Sequence, residues 1–112
     1  FSKTDLNRAI MSFTFHVEVQ VDKDLEDLIP EYLQKRRDEL RELKHFLEGE
    51  RYGEIEAVAH KLRGSAGSYG FTVLSRIGQS MEAAAKIPDK KVIASSLGEY
   101  EQYLTKLKIS YI

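Results

Sequence analysis

The chain has 112 residues, with 17 basic against 18 acidic side chains and a net charge of −1. That length suits one domain with a single core, and that balance argues against a nucleic-acid partner, whose phosphates need a clear basic excess. The absence of cysteine excludes disulfides and cysteine-based metal sites and fits a reducing, cytoplasmic setting; no apolar run approaches the ~18 residues of a membrane span.

The start at Phe1, with neither an initiator methionine nor a secretory pattern, reads as a fragment or trimmed chain. Leu6, Ala9, Ile10 and Phe13 fit a short helix capped by Ser2 or Thr4. Phe13, Phe15, Val17, Val19 and Val21 then alternate with Thr14, His16, Glu18 and Gln20, a strand pattern. A lone strand needs a partner, so it runs extended along the rest, pairs with a second copy, or joins a sheet in a longer parent protein. Residues 1–20 therefore read as an N-terminal extension to a helical body over 21–112.

Asp22 or Asp24 offers an N-cap to a helix carrying Leu25, Leu28, Ile29, Leu33, Leu40, Leu43 and Leu47, stopped by Gly49. Pro30 is tolerated only in a first turn, so this helix either begins afresh near Ile29 or kinks there. Lys35-Arg36-Arg37 is followed by Asp38, Glu39 and Glu42, the composition of a solvated, self-paired face rather than of a binding patch. A second helix runs from about Arg51 to Tyr69, with Gly70 as a left-handed cap. Thr72 is placed to cap a third, in which Leu74, Ile77, Met81, Ala84 and Ala85 face inward until Ile87-Pro88 ends it. Asp89 caps a fourth, with Val92, Ile93, Leu97, Tyr100, Leu104 and Leu107 at spacings of three and four. Four amphipathic helices joined by short turns point to an all-α fold, an antiparallel four-helix bundle with up-down-up-down wiring.

The second helix carries the chemistry. Ile55, Val58, Leu62, Ala66 and Tyr69 form its apolar stripe, and His60 points away from it into solvent. Gly64 lies one turn beyond His60 and Gly67 two turns beyond, leaving bare backbone beside the ring. Each helical glycine costs roughly 0.5–1 kcal/mol relative to alanine, so two on one face imply that something approaches closely. Lys61 and Arg63 flank the same patch with positive charge. A nucleophilic nitrogen cleared of bulk and bordered by cations is suited to accept a phosphoryl group delivered by another protein. His16 and His45 lack such company and read as surface residues, and no hydrolase, zinc or phosphate-loop spacing is present.

The run His60-Lys61-Leu62-Arg63-Gly64-Ser65-Ala66, with Gly67 and Gly70 after it, resembles the signature of histidine-containing phosphotransfer (HPt) domains, and a weaker similarity extends from about Val21 to the C-terminus. The resemblance implies a four-helix bundle in which His60 is the phospho-acceptor, Arg63 helps hold the phosphoryl group, and Gly64 makes room for the partner. The family most often has lysine where this chain has Arg63, which keeps the charge and changes its shape. The implied partners are a response-regulator receiver domain, a histidine kinase, or both. No cofactor or metal is expected on this chain; Mg²⁺ belongs to the receiver. The expected protein is thus a phosphocarrier rather than an enzyme.

Neutral imidazole, the majority form near neutral pH, is the nucleophile. Lys61 and Arg63 favour it, whereas Glu56, one turn before His60, pulls the other way and offers an acceptor for the Nδ1 proton. Gly67 and Ser68 extend the floor of the docking surface. Two readings stand beside transfer: a helical module that docks on receivers or kinases without being phosphorylated, and the substrate domain of a chemotaxis-type kinase.

Overall fold

The computed structural model describes residues 16–112, so the short helix expected around Leu6 to Phe13 lies outside the described residues. Strand β1 (Val17–Val21) is followed by a 3₁₀ turn over Lys23–Leu28 and by helices α1 (Ile29–Glu48), α2 (Tyr52–Ser68), α3 (Thr72–Lys86) and α4 (Lys90–Lys106); strand β2 (Leu107–Tyr111) comes last. Asp22 caps the 3₁₀ turn by accepting from the backbone N–H of Asp24 at 2.9 Å, and Pro30 sits in the first turn of α1. Of the two options left by Pro30, the chain takes the fresh start at Ile29, because proline there forfeits only an N–H that has no helical partner.

Each helix packs against the next, and α1 closes against α4. The core is built from the expected stripes: Leu40, Leu43 and Leu47 of α1, Ile55, Leu62 and Ala66 of α2, Leu74, Ile77 and Met81 of α3, and Ile93, Leu97 and Tyr100 of α4 are all buried. Asp89 caps α4, accepting from Val92 N–H at 3.2 Å, and Gly70 adopts φ +90° after α2, both as the sequence suggests. Thr72 does not cap α3. The helix begins at Thr72 itself with Phe71 as its cap residue, and no side chain bonds its first turn.

Two expectations change at the ends of the chain. The fold is not all helix: β1 pairs in parallel with β2, Val17 opposite Leu107 through Val21 opposite Tyr111, so the strand read as lone has its partner within the chain. Leu107, read as the last apolar position of the fourth helix, instead opens β2, and Leu107, Ile109 and Tyr111 alternate with exposed Lys108 and Ser110. The ladder continues through Ile112 N–H to Val21 O at 3.0 Å and Lys23 N–H to Ile112 O at 2.9 Å. The boundary drawn between residues 20 and 21 falls inside β1.

A polar network ties three helices together. Arg36 of α1 donates to Ser65 Oγ of α2 at 3.2 Å, Tyr32 pairs with the same hydroxyl at 2.9 Å, and Tyr100 of α4 donates to Glu39 Oε1 at 3.0 Å. Glu39 in turn faces Arg36 at 3.4 Å. Gly98 of α4 is different, being exposed with open space where a side chain would stand. Gly98→Ala is therefore expected to stabilise the protein by about 0.5–1 kcal/mol, raising Tm by roughly 2–6 °C in a thermal melt.

Candidate functional site

Helix α2 presents two faces of different chemistry. Its apolar face is sealed by Ile55, Ala59, Leu62 and Ala66, all fully buried, which fixes the opposite face outward. His60 stands there with its side chain 65% exposed. One face of the helix also carries Gly53, Ala57, Gly64 and Gly67, so the ring rises from a track with almost no side chains beside it. Nothing lies within 4 Å of the place a Cβ would occupy at Gly53 or Gly64, so their lack of side chain serves no internal packing. Gly67 has Ser75 Oγ at 3.5 Å from that place, an ordinary contact.

The partner of the imidazole comes from the neighbouring helix. Glu82 of α3 places Oε2 at 2.9 Å from His60 Nδ1. Glu56, one acceptor the sequence offers for this proton, lines the same hollow, but the bond belongs to Glu82. The physical reason is placement: Glu82 is 7% exposed, packed at the α2–α3 seam, whereas Glu56 lies one turn before His60 on the ring's own helix. The other carboxylate oxygen, Oε1, faces Arg63 Nη1 at 3.6 Å and Lys86 Nζ at 4.0 Å. An open hollow of about 640 Å³ results, lined by Gly53, Glu56, Ala57, His60, Lys61, Arg63, Glu82 and Lys86. Gly64, Gly67 and Ser68 lie outside it; Ser68 spends its hydroxyl on Gly64 O at 3.1 Å.

Burial raises the Glu82 carboxyl, but the hydrogen bond from His60 and the charges of Arg63, His60 and Lys86 outweigh it and hold the group below the usual glutamate value. Glu39 behaves oppositely: burial pushes it up, and Arg36 and the Tyr100 hydroxyl offset this only in part. Glu82 therefore contributes stability at neutral pH that is lost as pH falls through its depressed value, while ionisation of Glu39 costs the folded state as pH rises through its raised one. A carbon-13 NMR titration should place the Glu82 midpoint below, and the Glu39 midpoint above, the ordinary value of about 4.3.

These groups together form an exposed imidazole whose Nδ1 meets a carboxylate, beside a hollow that three cations help to line. The family model for the Hpt domain matches residues 25–109. The chain belongs to the Hpt domain family. Searches among curated proteins and solved structures find no match. Hpt domains are phosphocarrier modules, and membership gives this chain a histidine phosphotransfer role in two-component signalling, working with a response regulator or a kinase. Among the described residues no helix is long and apolar enough to cross a membrane.

Glu82 and Lys86 are the site residues that sequence reasoning missed. A signal existed for the first, since Glu82 is the sole acidic residue of α3 and sits between Met81 and three alanines.

Proposed function

We propose that the protein carries a phosphoryl group on His60 Nε2, exchanging it with the aspartate of a response-regulator receiver domain. The observation that carries this reading is the bond between His60 Nδ1 and the Glu82 carboxylate. A carboxylate accepts and does not donate, so it selects the tautomer with the proton on Nδ1 and leaves the lone pair on Nε2. In the transfer step Nε2 attacks phosphorus, the N–P bond forms, and the P–O bond of the aspartyl phosphate breaks, its electron pair leaving with the carboxylate. The ring gains positive charge as it does so, and Glu82 stands against the Nδ1–H to stabilise it. Arg63 and Lys86, both more than two-fifths exposed and loosely placed against Glu82, have the reach to turn toward the phosphoryl oxygens. Lys61, which lines the same hollow, adds to the positive rim. The Mg²⁺ and the acyl phosphate are the receiver's contribution, and the cytoplasm is the compartment of the exchange.

The bundle suits this task as a rigid support. Each of its three helix connections is three residues long, a reach of about 10 Å, too short to run back along helices whose length exceeds about 20 Å. Neighbouring helices therefore reverse direction, which is the antiparallel up-down-up-down wiring.

Phosphorylated receiver domains with Mg²⁺, and separately a histidine-kinase catalytic domain with ATP, test the proposal when acid-labile, base-stable phosphate is scored on this chain. Label from a receiver supports it. Label from the kinase alone moves the protein to the class of kinase substrate domains, and binding without label from either makes it a docking module.

The bare track beside His60 predicts a second result. Gly64→Gln fills space that is empty in the free protein and replaces a helical glycine, so the melt should rise by a few degrees as for Gly98→Ala, while affinity for a receiver falls at least about tenfold because the approaching surface meets the new side chain. Titration calorimetry with one competent receiver reads the loss. Retained affinity would mean that the partner does not approach over Gly64.

A further inference from the structure

Ser75, Gly78 and Glu82 follow one another on α3 at intervals of three and four and so share a face. That face lies against α2 beside the ring. Ser75 Oγ donates to Arg63 O at 2.7 Å, and Glu82 reaches His60 Nδ1. Between them, Gly78 contributes only the absence of a side chain. A Cβ there would stand 2.9 Å from Arg63 N, 3.1 Å from Ala59 O and 3.2 Å from Arg63 Cα. These are backbone atoms inside a helix and cannot swing aside. Ala59 and Arg63 also bracket His60, so the spacing of α2 and α3 at the level of the ring is set where Gly78 touches.

We propose that Gly78 is a positioning residue for the phosphoryl acceptor: by letting the two backbones meet, with Ser75 fastening the same seam, it holds Glu82 within reach of His60 Nδ1 and keeps Nε2 the free nitrogen. The proposal rests on the reading of His60 as acceptor. Glu82 cannot simply lengthen its reach if the helices part. Its carboxylate is buried, and its other oxygen faces Arg63 and Lys86, so following the ring would cost those contacts. The other glycines within α2–α4 differ in kind: Gly53, Gly64 and Gly98 border open space, and Gly67 has only an ordinary contact.

The test uses Gly78→Ala in the Gly98→Ala background, whose added stability offsets the new clash, with retained helix checked by circular dichroism. Nitrogen-15 spectra of the His60 ring read the tautomer, and phosphoramidate, a small donor that needs no docking, reads acceptor reactivity. The expected result is a shift from the Nδ1–H tautomer toward a mixture, with labelling slowed about three- to tenfold, as for a displacement of a few tenths of an ångström in a positioned nucleophile. Combined with Glu82→Ala, Gly78→Ala should cause no further slowing, because the two act through one contact. Ser75→Ala, which loosens the seam without adding bulk, should shift the tautomer the same way by less.

An unchanged tautomer and rate in Gly78→Ala would overturn the proposal, as would equal slowing with and without Glu82. Should Gly78→Ala not fold, an unchanged tautomer in Ser75→Ala overturns it instead. If the wild type takes no phosphate from any donor, the acceptor reading fails by itself, and the ring-nitrogen spectra still decide whether Gly78 positions Glu82.

Discussion

His60→Gln is expected to remove all acid-labile phosphate from the chain while leaving its helical content, its melt and its affinity for a receiver close to those of the wild type. The expectation of an intact fold follows from exposure: with 65% of the His60 side chain in solvent, its replacement opens no cavity. What the substitution does remove is the Nε2 lone pair, for which a neutral amide is no substitute. His16 and His45 remain in the variant and are both exposed, so persistent label would move the acceptor to one of them. Phosphate scored after acid and base treatment, beside a binding isotherm for the same receiver, separates lost chemistry from lost recognition. Loss of both together would mean that His60 is part of the docking surface itself.

The second large effect is expected at Glu82. Glu82→Ala frees Nδ1, lets the ring turn and divides it between tautomers, so the rate of labelling at saturating donor should fall about 10–100-fold, the range seen when the carboxylate partner of a metal-bound histidine is removed. Glu82→Gln retains an oxygen that can accept from Nδ1–H but loses the charge that meets the positive ring, and the amide can also turn its NH₂ toward the nitrogen. Its rate should lie between the other two. Stopped-quench labelling across donor concentrations separates the terms: a lowered maximal rate with unchanged half-saturation belongs to chemistry, whereas a raised half-saturation belongs to docking. An alanine variant as fast as the wild type would show that the 2.9 Å bond to Nδ1 does not govern reactivity.

Much of this site was legible along a single helix and little of it across helices. The stripe of Ile55, Leu62 and Ala66 places His60 outward by periodicity alone, and Gly64 beside it is a feature of spacing; the structure repeats both. Glu82 is 22 residues away from His60, and no local rule relates them. Only the packing of α3 on α2 does, and that packing depends on Gly78, which looks in sequence like one more small residue. Considering one helix at a time offers only Glu56 as an acceptor for the ring. The strands repeat the pattern. Alternation marked Val17 to Val21 as extended, but its partner was hidden because Leu107 also continues the three-and-four spacing of α4, and nothing local shows where that spacing stops. Parallel pairing between the two ends of a chain leaves no turn signal to read.

The parallel ladder has a mechanical consequence. Because β1 and β2 run in the same direction, the chain enters the ladder at Val17 and leaves it at Tyr111, at opposite ends of a pairing five residues long. Tension applied through the two flanks therefore loads all of the strand-to-strand hydrogen bonds at once in shear, rather than peeling them one by one. Force carried along the chain from one flank to the other therefore meets the clasp before it reaches the bundle and its histidine.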